Sequence, residues 1–372
     1  MSQQTSKIPS LTIGKHTAEI PIIQGGMGVG ISMSGLASAV AEAGGIGVLS
    51  TVAIGILDGS KKFKQSNEDT IKDQIRKAKK ATNGVVGCNI MVAISDYNNL
   101  IKCAVQEQVD ILFLGAGLPL RFPEGYTPDK LKETNTAIVP IVSSAKAAKL
   151  IFQFWEKKYN TLPDAVVVEG PMAGGHLGFK NEDIDSPNNT LENIIPGVVS
   201  TVRKFETKNH VTIPVIAAGG VYTGDDINNF FKLGVKGVQL GTRFVATHEC
   251  DADIRFKEAY IKAKKEDITI IKSPVGLPGR AINNEFLEQV TAGERKPFKC
   301  PWKCLKTCDY KTAPYCIAAA LSNAKKGNLE SGFVFAGSNA YRVTEIISVK
   351  ELIDSLTNEY ITAASLPEKK AQ

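Results

Sequence analysis

Short apolar segments alternate with longer amphipathic segments over the first 265 residues of the chain. The apolar segments are rich in β-branched residues and do not alternate with polar positions, which is typical of parallel strands covered on both faces. Eight predicted strands lie at 18–26, 45–50, 85–91, 110–117, 136–143, 164–170, 213–220 and 235–242. The segments between and after them have helical spacing and predict helices at 34–43, 68–80, 96–108, 127–134, 144–158, 190–206, 223–233 and 251–265.

Regular alternation of strand and helix produces right-handed crossovers and a parallel sheet. Eight such units in about 250 residues are typical of a closed (β/α)8 barrel, a TIM barrel, and this is the fold that we predict. The alternative is an open doubly wound sheet, which usually has fewer strands and carries G-x-G-x-x-G at its first helix. The segment GGMGVG at 25–30 has its glycines at other offsets, so it gives that alternative little support.

The alternation stops after the eighth unit, and the rest of the chain has a different character. We expect a barrel over 1–268, a cysteine-containing elaboration packed beside it over 269–345, and a C-terminal helix and tail over 346–372. The helix is predicted at 348–356, where one face is apolar. Residues 365–372 are polar and charged, and we expect them to form a frayed tail.

Composition and charge limit the classes of function. The 372 residues include 43% hydrophobic and 22% charged residues, which is ordinary for a globular protein. The net charge of +6 is spread over amphipathic segments and not gathered in one patch, so we expect no nucleic-acid partner. No apolar run reaches the length of about 18 residues that a membrane span needs, and no secretory signal is recognisable. With an odd number of cysteines, seven, these features predict a cytoplasmic protein.

The ends of the predicted strands identify the expected site, because barrels of this kind bind ligands at the carboxyl ends of their strands. The seventh strand ends in AAGG and is followed by a helix that Thr223 is placed to cap, and the eighth ends in QLGT. Glycine lets a backbone approach a ligand closely, and exposed N–H groups at a helix start attract phosphate. The predicted phosphate-binding residues are Gly219, Gly220, Gln239, Leu240, Gly241 and Thr242. The alternative is that these glycines only form tight turns.

Five segments together resemble one known family. They are IPIIQGGMG (20–28), GCNIM (87–91), VVVEGPMAGGHLG (166–178), IPVIAAGGVYTGDDI (213–227) and GVQLGTRFVATHE (237–249). In this order and at these strand ends, they resemble the nitronate monooxygenases, formerly called 2-nitropropane dioxygenases. That family shares its barrel with an FMN-dependent enoyl-ACP reductase, so the resemblance implies FMN as the cofactor.

The resemblance also implies roles for individual residues. The backbone of Gly25, Gly26 and Met27 would lie along the isoalloxazine ring of FMN, and Asn89 would hydrogen-bond the polar edge of that ring. Gly174 would line the ribityl chain. The phosphate would lie at the two glycine turns that the fold predicts independently.

Two titratable residues follow the sixth strand. His176 comes after two glycines at the strand mouth, and an ordinary histidine pKa near 6.5 suits proton transfer at neutral pH. We predict that His176 is catalytic and either abstracts a substrate proton or stabilises a developing anion. Glu169 stands where many relatives carry glutamine. Either its carboxylate lies at the flavin and makes the flavin harder to reduce, or it anchors the loop 170–180.

A cluster of four cysteines lies in the elaboration, at Cys300, Cys304, Cys308 and Cys316. Four thiolates can bind zinc or an iron–sulfur cluster, but this spacing matches neither the usual zinc pairs nor a ferredoxin pattern. Nearby Pro301 and Pro314 also argue against one smooth helix. The sequence favours buried free thiols or a redox-sensitive pair over a metal site, and no metal ligand is assigned.

Three functions remain open on the sequence. The first is an FMN-dependent oxidoreductase that oxidises alkyl nitronates or nitroalkanes with O₂ to a carbonyl compound and nitrite. The second is an enoyl-thioester reductase that uses NAD(P)H and FMN. The third lies outside redox chemistry and is an isomerase or aldolase, whose phosphorylated substrate would bind at the same predicted phosphate-binding turns.

Overall fold

The computed structural model describes residues 7–57, 62–294, 296, 298–300 and 302–366. Its strands are β1 (Leu11–Ile13), β2 (His16–Ala18), β3 (Ile22–Gln24), β4 (Ile46–Ser50), β5 (Val85–Met91), β6 (Ile111–Gly115), β7 (Ala137–Val142), β8 (Val166–Glu169), β9 (Gly175–His176), β10 (Val215–Ala218), β11 (Gly237–Leu240), β12 (Ile268–Lys272), β13 (Pro278–Ile282) and β14 (Val334–Phe335). Its α-helices are α1 (Ser34–Glu42), α2 (Phe63–Ala81), α3 (Tyr97–Gln106), α4 (Pro128–Lys132), α5 (Ala145–Tyr159), α6 (Leu191–Asn209), α7 (Gly224–Lys232), α8 (Thr242–Val245), α9 (Ile254–Lys262), α10 (Glu285–Thr291), α11 (Ile317–Lys325) and α12 (Val349–Ser365).

Eight parallel strands close into a barrel in the order β3, β4, β5, β6, β7, β8, β10 and β11, with β11 paired to β3. Each predicted strand contains one of these eight, so the predicted (β/α)8 barrel is confirmed. Phe113 and Val167 lie in the apolar cluster inside the barrel. A larger cluster, which includes Trp155, fills the layer between the strands and the surrounding helices. Both faces of the sheet are therefore covered, as the continuous apolar runs indicated.

An antiparallel hairpin, β1 and β2, lies ahead of the barrel and pairs Leu11 with Ala18. Leu11 and Ile13 are buried in the apolar cluster inside the barrel. The prediction that the first barrel strand begins at residue 18 is wrong, because Ala18 belongs to this hairpin and the barrel strand begins at Ile22. The hairpin was missed because its strands have only three residues each.

The C-terminal helix α12 packs against α7 and is longer than the predicted 348–356. Ser348 caps its start and forms a capping box with Glu351. Glu359, on the same helix, accepts a hydrogen bond from the N–H of Gly224 at the start of α7, at 2.7 Å. Of the predicted tail, residues 367–372 lie outside the described part of the chain.

The region after the eighth unit forms a small antiparallel sheet, which agrees with the loss of alternation in the sequence. Strands β12 and β13 form a hairpin, and β13 also pairs with β14 and with β9, the short strand that contains His176. Near the cysteines, Leu305 forms a bridge to Ile94, which follows β5. The elaboration therefore reaches over the carboxyl ends of the barrel strands. The domain limits proposed from the sequence stay a prediction.

Gly47 in β4 provides a test of how closely helix and barrel pack. A Cβ at this position would lie 1.8 Å from the carbonyl oxygen of Ala37 in α1. We expect Gly47→Ala to lower the free energy of unfolding by about 3 kcal/mol or more, because α1 would have to move away from the sheet. Gly197→Ala is the control, since its Cβ would meet only the Ala145 side chain at 3.4 Å and alanine favours the helix. Urea-induced unfolding measures both, and equal stability of the two variants would contradict this packing.

Candidate active site

A cavity of about 730 Å³ opens at the carboxyl ends of the barrel strands. All the residues predicted for the site border this cavity: Gly25, Gly26, Met27, Asn89, Glu169, Gly174, His176, Gly219, Gly220, Gln239, Leu240, Gly241 and Thr242. They come from five strand ends and one loop, and the closed barrel brings them together. Their roles in binding or catalysis remain proposals.

The two glycine turns lie side by side because β10 and β11 are neighbours, with Ala218 opposite Gln239. Gly219 and Gly220 have φ angles of 85° and 113°, which side chains with a Cβ rarely adopt. No described residue accepts a hydrogen bond from the N–H of Gly219, Gly220 or Gly241. These donors are therefore free to bind an anion in the cavity.

The N–H groups at the start of helix α7 are, in contrast, mostly hydrogen-bonded within the protein. Thr223 caps it as predicted, and the Asp226 carboxylate accepts hydrogen bonds from the N–H groups of Tyr222 and Thr223, each at 2.9 Å. Glu359 takes the N–H of Gly224. The expectation that this helix start offers exposed N–H groups to phosphate is therefore corrected. The N–H groups of Gly219 and Gly220, in the turn that follows β10, remain without an acceptor among the described residues.

Two arginines near the same turn were missed by the sequence analysis. The guanidinium of Arg243 lies 4.6 Å from the ring centre of Tyr222, and that of Arg342 lies 4.1 Å from it. Arg243 also donates to the carbonyl oxygen of Tyr222 at 2.8 Å. Neither arginine has a carboxylate partner among the described residues. Their charge makes the region around the glycine turns favourable for anions.

The loop between β8 and β9 is held by the buried side chain of Arg280 in β13. Arg280 donates hydrogen bonds to the carbonyl oxygens of Pro171 and Ala173. The ladder between β9 and β13 places Gly279 opposite His176, and the N–H of Leu177 donates to Pro278. The position of His176 therefore depends on the elaboration, which the sequence analysis placed merely beside the barrel.

The imidazole of His176 lies between a hydroxyl and an aromatic ring. Its Nε2 is 2.7 Å from the Ser273 Oγ, and its ring meets Phe335 edge to face with 5.1 Å between ring centres. Burial lowers the pKa of His176 to about 4, because the charged form loses its hydration. The expectation of an ordinary pKa near 6.5 is therefore corrected, and the ring is neutral at neutral pH.

Glu169 is the second titratable group on the cavity wall. Burial raises its pKa to about 7, again because the charged form loses hydration. Its carboxyl group has no hydrogen bond or ion pair within the described part of the chain. The alternative that Glu169 anchors the loop 170–180 finds no contact to support it, since Arg280 holds that loop.

The side-chain amides of Asn89 and Gln239 border the cavity on the strand side. Neither amide has a hydrogen-bond partner among the residues that the structure describes. Gly26 lies so close to Asn89 that a Cβ on the glycine would be 2.3 Å from the Asn89 Cβ. The glycine backbone and the free amides form one wall that can accept a flat polar ligand at short range.

The elaboration forms the opposite wall of the cavity. Its lining residues are largely apolar, and the sequence predicted none of them for the site, although Cys304 was noted as one of the clustered cysteines: Val275, Leu277, Cys304, Leu305, Thr307, Ile317, Ala318, Leu321, Phe335, Ala336, Gly337 and Asn339. Spacing alone does not show that a later antiparallel sheet folds over the strand ends.

The four cysteines of the elaboration are free thiols. Cys304 borders the cavity, and burial raises its pKa to about 12, so that it is a thiol and not a thiolate. Within the described ranges, no group of three or more histidine, cysteine, aspartate or glutamate residues is arranged to hold a metal ion.

Among the described residues no helix is both long and apolar enough to span a membrane.

The barrel and its cavity give the fold and the candidate site, and the comparisons with known proteins give the class of protein. The family model for nitronate monooxygenase matches residues 9–109 and 86–359. The chain belongs to the nitronate monooxygenase family and is an oxidoreductase. This assignment removes the non-redox isomerase or aldolase from the alternatives.

Individual relatives carry different names. The chain is 24% identical to a (3aS,4S,5R,7aS)-5-hydroxy-7a-methyl-1-oxo-octahydro-1H-indene-4-carboxyl-CoA dehydrogenase of Mycobacterium tuberculosis, over 92% of this chain and 94% of the relative. It is 27% identical to a probable nitronate monooxygenase of Staphylococcus aureus, over 74% of this chain and 79% of the relative. The structure of FabK from Thermotoga maritima superposes with a TM-score of 0.73 at 28% identity, covering 95% of this chain and 94% of FabK.

The raised pKa of Glu169 predicts a pH-dependent stability difference. The pKa is higher in the folded protein than the ordinary value of 4.5, so the folded state binds more protons between these values and loses stability as pH rises towards 7. Between pH 5 and pH 8 we expect the parent protein to lose roughly 2–3 kcal/mol of unfolding free energy relative to Glu169→Gln. Urea-induced unfolding at both pH values measures the difference.

The control for this experiment is Glu182→Gln, which removes an exposed carboxylate that pairs only with Lys180 at 4.0 Å. This variant should follow the parent at both pH values. A constant offset between the parent and Glu169→Gln from pH 5 to pH 8 would show that the Glu169 carboxyl does not titrate in the expected range.

Proposed function

We propose that this protein is an FMN-dependent oxidoreductase and that its leading reaction is the oxidation of alkyl nitronates with O₂ to a carbonyl compound and nitrite. The observation that carries the proposal is one cavity that combines three N–H donors at two glycine turns, each without an acceptor among the described residues, with a half-buried histidine. The family assignment supports the redox class. The nitronate as substrate, FMN as the particular cofactor, and a cytoplasmic location remain parts of the proposal.

The residues of the cavity fit FMN. The free N–H groups of Gly219, Gly220 and Gly241 suit a phosphate, and the charge of Arg243 favours an anion nearby. The amides of Asn89 and Gln239 can donate to and accept from the polar edge of a flavin ring. A Cβ on Gly175 or Gly276 would meet nothing within 4 Å, so the loop beside His176 leaves open space. When bound, FMN supplies the transfer of electrons between the organic substrate and the second substrate.

The protein groups have separate tasks in this proposal. The backbone of Gly25, Gly26 and Met27 would hold one face of the flavin ring, and Gly174 would lie along its ribityl chain, as the family resemblance implies. The neutral imidazole of His176 would face the organic substrate. The apolar wall that the elaboration provides, including Leu277 and Phe335, excludes water from the reacting groups. Glu169 lies at the same cavity and holds a proton at the lower end of the physiological pH range.

A second candidate function is the reduction of an enoyl thioester with NAD(P)H and FMN. Two observations favour it. The relative from Mycobacterium tuberculosis is named as a carboxyl-CoA dehydrogenase and matches nearly the whole chain, and FabK covers the elaboration as well as the barrel. The apolar wall contributed by Val275, Ile317 and Leu321 would also suit a bulky acyl group. In either function the partners are small molecules, and no nucleic acid or membrane is required.

A reduction experiment without oxygen separates the two candidates. The purified protein should be yellow, with the absorption bands of oxidised flavin. We expect propionate 3-nitronate to bleach these bands quickly and NADPH to bleach them slowly, because the nitronate is the proposed electron donor. Stopped-flow absorbance measures both rates.

The opposite order of rates would favour the thioester enzyme. A colourless protein that takes up no added FMN would overturn both candidates. His176→Gln is the matched variant for the nitronate reaction. It should keep the flavin bands while the bleaching by nitronate slows by about 100-fold or more, the range seen when a donor to a developing charge is removed.

A further inference from the structure

Ser273, in the elaboration, is hydrogen-bonded to His176. The neighbours of Ser273 determine which of the two residues donates this hydrogen bond. The hydroxyl oxygen of Ser273 lies 2.7 Å from the Nε2 of His176, and Ser273 is only 3% exposed. The N–H of Val275 donates to the same hydroxyl oxygen at 3.4 Å. The serine oxygen therefore already accepts one hydrogen bond.

The hydroxyl hydrogen of Ser273 needs an acceptor of its own, because a buried donor without a partner costs about 1–3 kcal/mol. Among the described residues the one acceptor in reach of this hydroxyl is the Nε2 of His176. If Nε2 carried the proton, it would donate to the second lone pair of the serine oxygen, and the hydroxyl hydrogen would be left without an acceptor among the described residues. The hydroxyl hydrogen has a partner only when Ser273 donates the hydrogen bond and the Nε2 of His176 accepts it.

We infer that Ser273 is a positioning residue that fixes His176 as the neutral Nδ1–H tautomer, so that the imidazole offers a hydrogen-bond donor to the substrate. The nitrogen that a base would use is occupied by the serine hydroxyl. Of the two roles left open for His176 by the sequence, this arrangement selects the stabilisation of an anion over the abstraction of a proton. No described residue contacts Nδ1 by a hydrogen bond, and the residue borders the cavity.

The backbone holds both partners at the small antiparallel sheet, His176 within β9 and Ser273 in the turn directly after β12. His176 lies opposite Gly279 in the pairing of β9 with β13, and the N–H of Ser273 donates to the carbonyl oxygen of Leu277 at 3.1 Å. The edge of the Phe335 ring limits rotation of the imidazole. The tautomer is therefore set by a strand residue, His176, and by a turn residue, Ser273, whose backbone hydrogen bond to Leu277 closes the β12–β13 hairpin.

The inference rests on the proposed function for its catalytic consequence, but the tautomer itself does not depend on which substrate is used. An Nδ1–H donor would stabilise negative charge on a nitronate oxygen or on the oxygen of an enolate formed from a thioester. A neutral nitroalkane, which must first lose a proton, would gain no base from His176. The donor therefore suits substrates that enter as anions or become anions when electrons are added.

The tautomer can be read directly in the FMN-loaded protein labelled with ¹⁵N-histidine. The chain has four histidines, and His176→Gln identifies the signals that belong to His176. At pH 7 we expect these signals to show the neutral Nδ1–H form. In Ser273→Ala they should move to the Nε2–H form that free histidine favours, and in Ser273→Thr, which keeps a hydroxyl, they should match the parent. An Nε2–H form in the parent, or an unchanged pattern in Ser273→Ala, would overturn the inference, whatever the protein's substrate proves to be.

Steady-state kinetics with propionate 3-nitronate tests the consequence. Ser273→Ala should lower kcat/KM by about 10- to 100-fold, the range found when a group that orients a metal-bound histidine is removed, and Ser273→Thr should restore most of it. Ser338→Ala is the control, because its hydroxyl contacts only the nearby carbonyl of Met172 at 3.3 Å. Equal kcat/KM for Ser273→Ala and the parent would contradict a positioning role. Absence of nitronate turnover in the parent would instead count against the proposed function, while the tautomer measurement would still stand.

Discussion

Closure of a parallel barrel brings the carboxyl ends of all eight strands to one mouth, and every feature of the candidate site depends on this constraint. The turns after β10 and β11 lie side by side because these two strands pair, and the pairing of β11 with β3 closes the barrel around the cavity. Gly220 and Gly241, whose N–H groups have no acceptor among the described residues, therefore border the same cavity as residues from the opposite side of the barrel, such as Asn89. The same closure leaves the mouth open on its outer side, and the elaboration covers it there.

The elaboration forms one wall of the candidate site and also provides the residues that contact His176. Strand β13 pairs with β9 and carries Arg280, which holds the carbonyl oxygens of the preceding loop, while Ser273 and Phe335 fix the imidazole of His176. Burial at the cavity wall also shifts the pKa values of two titratable groups, in opposite directions. The carboxyl of Glu169 and the imidazole of His176 are both shifted towards their neutral forms, as low-dielectric surroundings require.

The sequence predicted the barrel and placed each candidate residue on the cavity, because strand ends in this fold are fixed by strand order. Apolar runs such as 164–170 are long enough to be recognised, whereas the three-residue strands around Gly14 are not. Contacts between distant parts of the chain could not be predicted in the same way. Nothing in the spacing of 97 residues between His176 and Ser273 indicates that they meet, and the pKa shifts follow from burial that only the folded chain shows.

The central claim is that the two glycine turns hold the phosphate of a flavin mononucleotide, and comparing FMN with riboflavin tests it most directly. Riboflavin has the same ring and ribityl chain but lacks the phosphate, so fluorescence titration of the flavin-free protein with each ligand isolates the contribution of the turns. Two charge-assisted hydrogen bonds at Gly220 and Gly241 predict a Kd for FMN at least about 100-fold lower than that for riboflavin. Equal affinities for the two ligands, or binding of neither, would contradict the account.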